Sequence, residues 1–213
     1  MLRPYLIGVA GPSGSGKTEL ARKLASALSA PVVALDSYYR ELSHLTVEER
    51  ARVNFDVPAA LDHDLLCGQL ALLAAGGEIA VPVYDFSRHT RAPEVQCVRA
   101  GRFAIVEGLF ALYWEQVRAL LGTGVYVHTA DELCFARRLE RDVRERGRTP
   151  ESVVAQYEQT VRPMAERYVF PERDVADVVV SGVEPLERTA AQVLEHVYAQ
   201  IARREPAGGA AAR

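Results

Sequence analysis

The sequence predicts an α/β domain: a parallel five-stranded sheet flanked by helices, with an inserted β-hairpin and an arginine-rich lid helix. Three observations carry that prediction. Short apolar runs ending in glycine or a carboxylate alternate with stretches of helical period. The first two runs are joined by one such stretch, the β-α-β order that gives parallel strands and a right-handed crossover. The length is 213 residues, of which 49% are hydrophobic and 25% charged. That suits one domain burying roughly 70% of its unfolded surface, with no disulfide or metal staple needed.

Taken in order, residues 6–10 read as the first buried strand and 17–29 as a helix with Leu20, Leu24, Ala27 and Leu28 on one face. Pro31 breaks the chain, and 32–35 form the second strand. Residues 36–60 mix polar and aromatic side chains and read as irregular. A helix over 61–75 is closed by Gly76-Gly77. Two strands, 78–84 and 94–98, enclose a polar bend at 85–93 and form the inserted hairpin. Residues 103–106 are the third buried strand and 124–128 the fourth. An arginine-rich helix spans 131–147 and another 150–165; a fifth strand covers 175–180 and an amphipathic closing helix 185–203. The expected organisation is a single domain over 1–206, with the hairpin insert at 78–99, the lid at 131–156 and a frayed tail at 207–213.

The net charge of −3 argues against a nucleic-acid binder that relies on bulk positive charge. No apolar run approaches the roughly 20 residues of a membrane span, and residues 1–5 lack a signal-peptide pattern. Cys67, Cys97 and Cys134 lie far apart with no CxxC pair; they fit a reducing cytoplasm and read as small buried hydrophobes. Of 25 basic residues only Lys17 and Lys23 are lysine, which makes the position of Lys17 informative.

Gly11-Pro12-Ser13-Gly14-Ser15-Gly16-Lys17-Thr18 matches G-x-x-x-x-G-K-[ST] in full, with a strand before and a helix after. Glycines let consecutive N–H groups face one centre, and the following helix adds its positive end. Lys17 reaches the β- and γ-phosphates and the Thr18 hydroxyl suits Mg²⁺. The loop alone does not separate kinase from GTPase or motor ATPase. A guanine-specific N-K-x-D is excluded because Asn54 is the only asparagine.

The third strand runs into Glu107, where a carboxylate can hold Mg²⁺ directly or through water; a helix-capping or surface acid is the alternative. Asp36 follows the second strand, at the carboxyl end where ligands bind in open α/β sheets. In a phosphoryl transferase it can take the proton of an attacking hydroxyl. An N-cap or turn aspartate is the alternative.

These blocks resemble the uridine kinase (uridine-cytidine kinase) family of P-loop nucleoside kinases. The likeness extends to Leu35-Asp36-Ser37-Tyr38-Tyr39-Arg40, Asn54-Phe55-Asp56, Pro82-Val83-Tyr84-Asp85-Phe86 with His89-Thr90-Arg91, Val106-Glu107-Gly108, Glu145-Arg146-Gly147-Arg148, Gln156-Tyr157, Val161-Arg162-Pro163-Met164 and Ala176-Asp177-Val178. The resemblance implies ATP- or GTP-dependent phosphorylation of the 5′-hydroxyl of uridine or cytidine, in pyrimidine salvage, with Asp36 as the base. It places Asp56 and Arg138 near the ribose, Tyr84, Phe86, His89 and Arg148 near the base, and Gln156 at the pocket wall. It also implies a homotetramer and inhibition by CTP or UTP. Val57 and Ala59 depart from it, standing where the family more often carries histidine and aspartate. Altered packing or ribose affinity is expected there, and the nucleoside range is what they weaken most.

The residue types suit that ligand. Tyr84 and Phe86 offer ring faces for stacking, worth roughly 1–3 kcal/mol per base. Neutral His89 donates or accepts by tautomer and serves uracil or cytosine. The ionised Asp56 accepts hydrogen bonds from two hydroxyls. Hairpin core for Tyr84 and Phe86, and a solvated turn for His89, are the alternatives. Arg137, Arg138, Arg141, Arg144, Arg146 and Arg148 face three acids over 137–148. They read as a lid that excludes water and brings Arg141 and Arg146 to the developing charge. A solvated helix laced with ion pairs is the alternative, weightiest for Arg137 and Arg144. Two other functions remain open: a related kinase for another alcohol, phosphoribulokinase- or pantothenate kinase-like, and a non-catalytic nucleotide sensor.

Overall fold

The computed structural model describes residues 3–50 and 52–204, so the tail expected at 207–213 lies outside the described residues. β1 (Tyr5–Ala10) is buried on both faces and leads through the glycine loop into α1 (Lys17–Leu28). β2 (Val32–Ala34) follows, then a tight 3₁₀ turn over Leu35–Tyr38 and the one-turn helix α2 (Val47–Arg50). α3 (His63–Ala74) starts at Asp62, whose side chain accepts the Leu65 N–H. The hairpin strands are β3 (Glu78–Asp85) and β4 (Thr90–Arg99). β5 (Phe103–Glu107), α4 (Glu115–Arg118) and β6 (Thr123–His128) complete the middle of the chain. The segment expected as a lid forms α5 (Asp131–Arg146) and α6 (Pro150–Gln156), followed by α7 (Arg162–Met164), β7 (Val178–Ser181) and α8 (Leu186–Arg204).

Among the described residues five parallel strands form one sheet in the order β2-β5-β1-β6-β7. Strands buried on both sides need apolar residues at every position, which is why they read as continuous apolar runs. Leu6, Val33, Val106 and Tyr126 face a core shared with α3 and the hairpin. Ile7, Val9, Ile105, Val125 and Val180 face the core under α1 and α8.

Register places the chemistry. Glu107 lies opposite Val9 on one side and Ala34 on the other. Asp36, Glu107 and the start of the glycine loop therefore emerge side by side at the carboxyl edge, on strands roughly 4.8 Å apart.

The structure departs from four expectations. The segment 150–165 is not one regular helix. After α6 it widens into π-type turns at Tyr157–Val161 and Ala165–Val169 around α7. Pro163 lacks the N–H that a regular helix requires there. The fifth strand starts at Val178 rather than 175, because Pro171 opens a 3₁₀ turn over Phe170–Val175. Cys97 is exposed, since the hairpin presents most of β4 outward; Cys67 is half-buried and Cys134 buried. The hairpin bend is also tighter than 85–93. The Asp85 carboxylate accepts the Ser87 and Arg88 N–H groups, and His89 closes the turn at φ 51.

Candidate active site

The glycine loop is closed by packing. Gly14 sits at φ 84, and a Cβ there would lie 2.3 Å from the Cys134 carbonyl oxygen. Gly16, at φ 98, turns the chain into α1. Ser15 is fully buried, its carbonyl accepts from the Thr129 hydroxyl at 3.0 Å, and its own hydroxyl has no partner. Arg137 donates to the carbonyls of Gly14 (3.3 Å) and Gly182 (3.0 Å), tying α5 to the loop. An unpartnered buried hydroxyl inside a curl of amides fits an anion with several acceptor oxygens.

Beside this loop the Thr18 hydroxyl donates to Glu107 Oε2 at 3.3 Å. Burial pushes the Glu107 carboxyl above its ordinary range; Lys17 opposes this and Asp36 adds to it. A hydroxyl and a buried carboxylate, two hard oxygen donors, fit Mg²⁺, which keeps several waters and takes the rest from phosphate. Asp36 lies in the turn after β2, within electrostatic range of Glu107, Asp56 and Arg146.

The hairpin builds an aromatic wall. Tyr84 packs against Tyr39 (ring centroids 5.3 Å apart) and Phe86 (5.2 Å), while His89 stacks on Phe55 at 5.5 Å and 19°. Tyr84 is buried, its hydroxyl is unpartnered, and burial raises its phenol to about 12. Phe86 stands at the rim, 53% exposed. Burial lowers the His89 imidazole from its ordinary value, which favours the neutral ring. Arg91 fastens the hairpin, donating to the carbonyls of Tyr39 (2.8 Å) and Tyr38 and to Asp62.

Asp56 joins wall and lid. Burial raises its carboxyl, Arg138 pulls it down and Asp36 raises it again. Asp56, Ser13 and Tyr157 line a narrow cavity of about 10 Å³ at the junction, room for roughly one water. On the lid, Gln156 Oε1 accepts from Arg138 at 3.1 Å and from Arg148. Arg141 reaches the Ser13 hydroxyl at 3.4 Å. Arg144 pairs with Glu140 and Glu145 on the solvent face, the solvated-helix alternative.

The structure thus brings Lys17, Thr18, Asp36 and Glu107 to one edge. It gathers Arg138, Arg141, Arg146, Arg148 and Gln156 on the lid, and Tyr84, Phe86 and His89 on the hairpin, with Asp56 between the two. Tyr39, Phe55 and Asp142 have no role legible in the sequence. The first two complete the aromatic wall, and their signal was their place beside Asp36 and Asp56. Asp142 is buried among arginines, whereas in the sequence it is one of three acids interspersed with them.

Sheet order, glycine loop and edge carboxylates together define a P-loop kinase. The sequence profile described as the phosphoribulokinase / uridine kinase family matches residues 6–189. A uridine kinase of Vibrio cholerae is 41% identical over 182 residues, covering 82% of this chain and 85% of that protein. The chain belongs to the phosphoribulokinase / uridine kinase family. In fold it is similar to a protein from Silicibacter sp. TM1040 described as a fructose transport system kinase (TM-score 0.71, 23% identity, 84% of this chain and 91% of that one). It is likewise similar to D-glycerate 3-kinase from Cryptococcus neoformans (TM-score 0.62, 18% identity, 87% and 88%).

Proposed function

We propose that this chain transfers the γ-phosphoryl group of ATP or GTP to the 5′-hydroxyl of uridine or cytidine, giving the nucleoside monophosphate and the diphosphate. The observation that carries this reading is the carboxyl edge of the sheet. A single row there holds the phosphate loop, a Thr18–Glu107 oxygen pair and Asp36, and the chain after Asp36 runs into an aromatic wall that carries His89, whose imidazole is lowered by burial.

Gly11, Ser13, Gly14, Ser15, Gly16, Lys17 and Thr18 hold the triphosphate. Thr18 and Glu107 would hold Mg²⁺, which when bound supplies positive charge to the phosphate oxygens. Asp36 accepts the proton of the 5′-hydroxyl as its oxygen attacks phosphorus in line. Lys17, Arg141 and Arg146 meet the charge that develops on the transferred group. Asp56 and Arg138 hold the ribose; Tyr84, Phe86, His89, Arg148 and Gln156 surround the base. Residues 1–206 act as one kinase domain with the hairpin as an insert and the lid as the part that closes. The free cysteines suit a cytoplasmic enzyme, and among the described residues no helix is long and apolar enough to cross a membrane. The resemblance to uridine kinases also supports assembly as a homotetramer.

A coupled ADP-release assay tests the reading across uridine, cytidine, their deoxy forms, ribulose 5-phosphate and pantothenate. Turnover is expected with the two ribonucleosides. Turnover only with ribulose 5-phosphate or pantothenate, or with none of them, rejects it.

A further inference from the structure

Asp142 has a chemistry that the roles above leave unused. Its carboxylate is wholly buried, 0% exposed, and a buried carboxylate is costly unless charge surrounds it. Four guanidiniums do so here, and they divide by oxygen. Oδ1 takes Arg141 at 2.8 Å and Arg146 at 3.4 Å. Oδ2 faces Arg138 and Arg148, each at 3.6 Å, and accepts no hydrogen bond.

The division follows the site. Arg141 also reaches Ser13 of the phosphate loop, and Arg146 feels the charge of Asp36. Arg138 and Arg148 both donate to Gln156, and Arg138 acts on Asp56. One carboxylate therefore touches a phosphate-side pair through one oxygen and a nucleoside-side pair through the other. The helix end pins it in place, for the Gly147 and Arg148 N–H groups both donate to the Asp142 carbonyl.

We propose that Asp142 is a positioning residue that couples the two halves of the site, so that a nucleoside on its Oδ2 side readies Arg141 and Arg146 on its Oδ1 side for phosphate. The inference rests on the kinase reading above. Oδ2 lacks hydrogen bonds as the site stands. A nucleoside that settles Arg138, Gln156 and Arg148 supplies them and draws the carboxylate's charge toward that side. Arg141 and Arg146 are then released to phosphate oxygens, which guanidinium forks bind strongly. Four cations around one anion leave the cluster positive, so the released pair still seeks an anion.

The test is a calorimetric titration of inorganic tripolyphosphate, which carries no base, with and without saturating uridine. In the wild type uridine tightens tripolyphosphate about tenfold, within the usual range of coupling between sites. In Asp142→Asn tripolyphosphate alone binds several-fold tighter, because one negative charge has left the cluster. Uridine then changes that affinity by less than about twofold. The variant's kcat falls while its KM for uridine stays near the wild-type value. Tighter binding follows from the lost charge alone, so it is the loss of the uridine effect that separates a coupling role from a merely structural one. Wild-type coupling retained in Asp142→Asn, or no coupling in the wild type, overturns the proposal. If Asp142→Asn fails to fold, Asp142→Asn with Arg146→Gln restores the cluster's net charge and is measured instead; coupling retained there also overturns it. Uridine-dependent ADP release by the wild type checks the kinase reading separately. Its absence rejects that reading and this proposal together, whereas turnover with intact coupling in the variant rejects Asp142 alone.

Discussion

The phosphate loop and the wall that faces it are built in opposite ways. The loop is eight consecutive residues whose working groups are backbone amides, held from behind by Thr129, Cys134 and Arg137. Wall and lid together are made of side chains from five separate stretches around Tyr39, Phe55-Asp56, Tyr84–His89, Arg138–Arg148 and Gln156. A backbone cradle has one geometry, so a change in it acts on binding and stability together. A wall of side chains can lose one contact and keep the rest. The two regions should therefore fail differently when altered.

Asp36 stands where they meet, and the largest effect is expected there. Asp36→Asn keeps the shape and removes the proposed proton acceptor. Its kcat should fall by about 10²–10⁴-fold with both KM values little changed. Steady-state kinetics with varied ATP and uridine decides this; a kcat near that of the wild type would remove Asp36 from the base role.

Within the cradle, Gly14→Ala places a Cβ against the Cys134 carbonyl at a left-handed backbone position. That conformation alone costs an alanine about 1–2 kcal/mol, and a chain of this size loses roughly 2–4 °C per kcal/mol. Calorimetry should show Tm lowered by about 4 °C or more, together with loss of ATP binding. Weakened ATP binding with an unchanged Tm would break the contrast.

Within the wall, His89→Phe keeps the stack on Phe55 and removes the ring nitrogens proposed to bond the base. One hydrogen bond is worth about 1 kcal/mol net, so KM for uridine should rise about fivefold to tenfold while ATP affinity and Tm hold. Equal KM values in variant and wild type, for both nucleosides, would assign His89 to the turn alone.

The same contrast decides what the sequence disclosed. Gly11–Thr18 was legible because amide geometry depends on glycine spacing, which is local. The strands and the helix 131–147 were legible because burial on both faces, or on one stripe, leaves a periodic record. The π turns were hidden because Pro163 acts through a hydrogen bond that only the folded helix lacks. Asp142 was hidden because its meaning is tertiary. In sequence it is one acid among arginines at helical spacing, the pattern of a solvated face. Only the structure distinguishes it from Glu140 and Glu145, which pair with Arg144 at the surface. Phe55 and Tyr39 were visible as residues, but their contact with the hairpin spans long loops with no regular period.

The smallest expected effect probes what holds Glu107 at this edge. Its carboxyl is raised, first by burial, against the pull of Lys17. A raised acid disfavours its own ionisation in the folded chain. Its stabilising share is complete below the unfolded value of about 4.5 and is lost as pH rises through the folded value. Glu107→Gln cannot ionise, so without magnesium its Tm should exceed that of the wild type at pH 7–8. The gain should be at most about 3 °C, what roughly one kcal/mol gives a chain of this size, and should vanish below about pH 4. Adding Mg²⁺ and ATP should reverse the order, because a bound cation rewards the carboxylate and not the amide. A higher Tm that ignored both pH and magnesium would mean that Glu107→Gln improves packing alone. The carboxylate would then lose its claim to the metal, and the edge would keep only Thr18 to hold it.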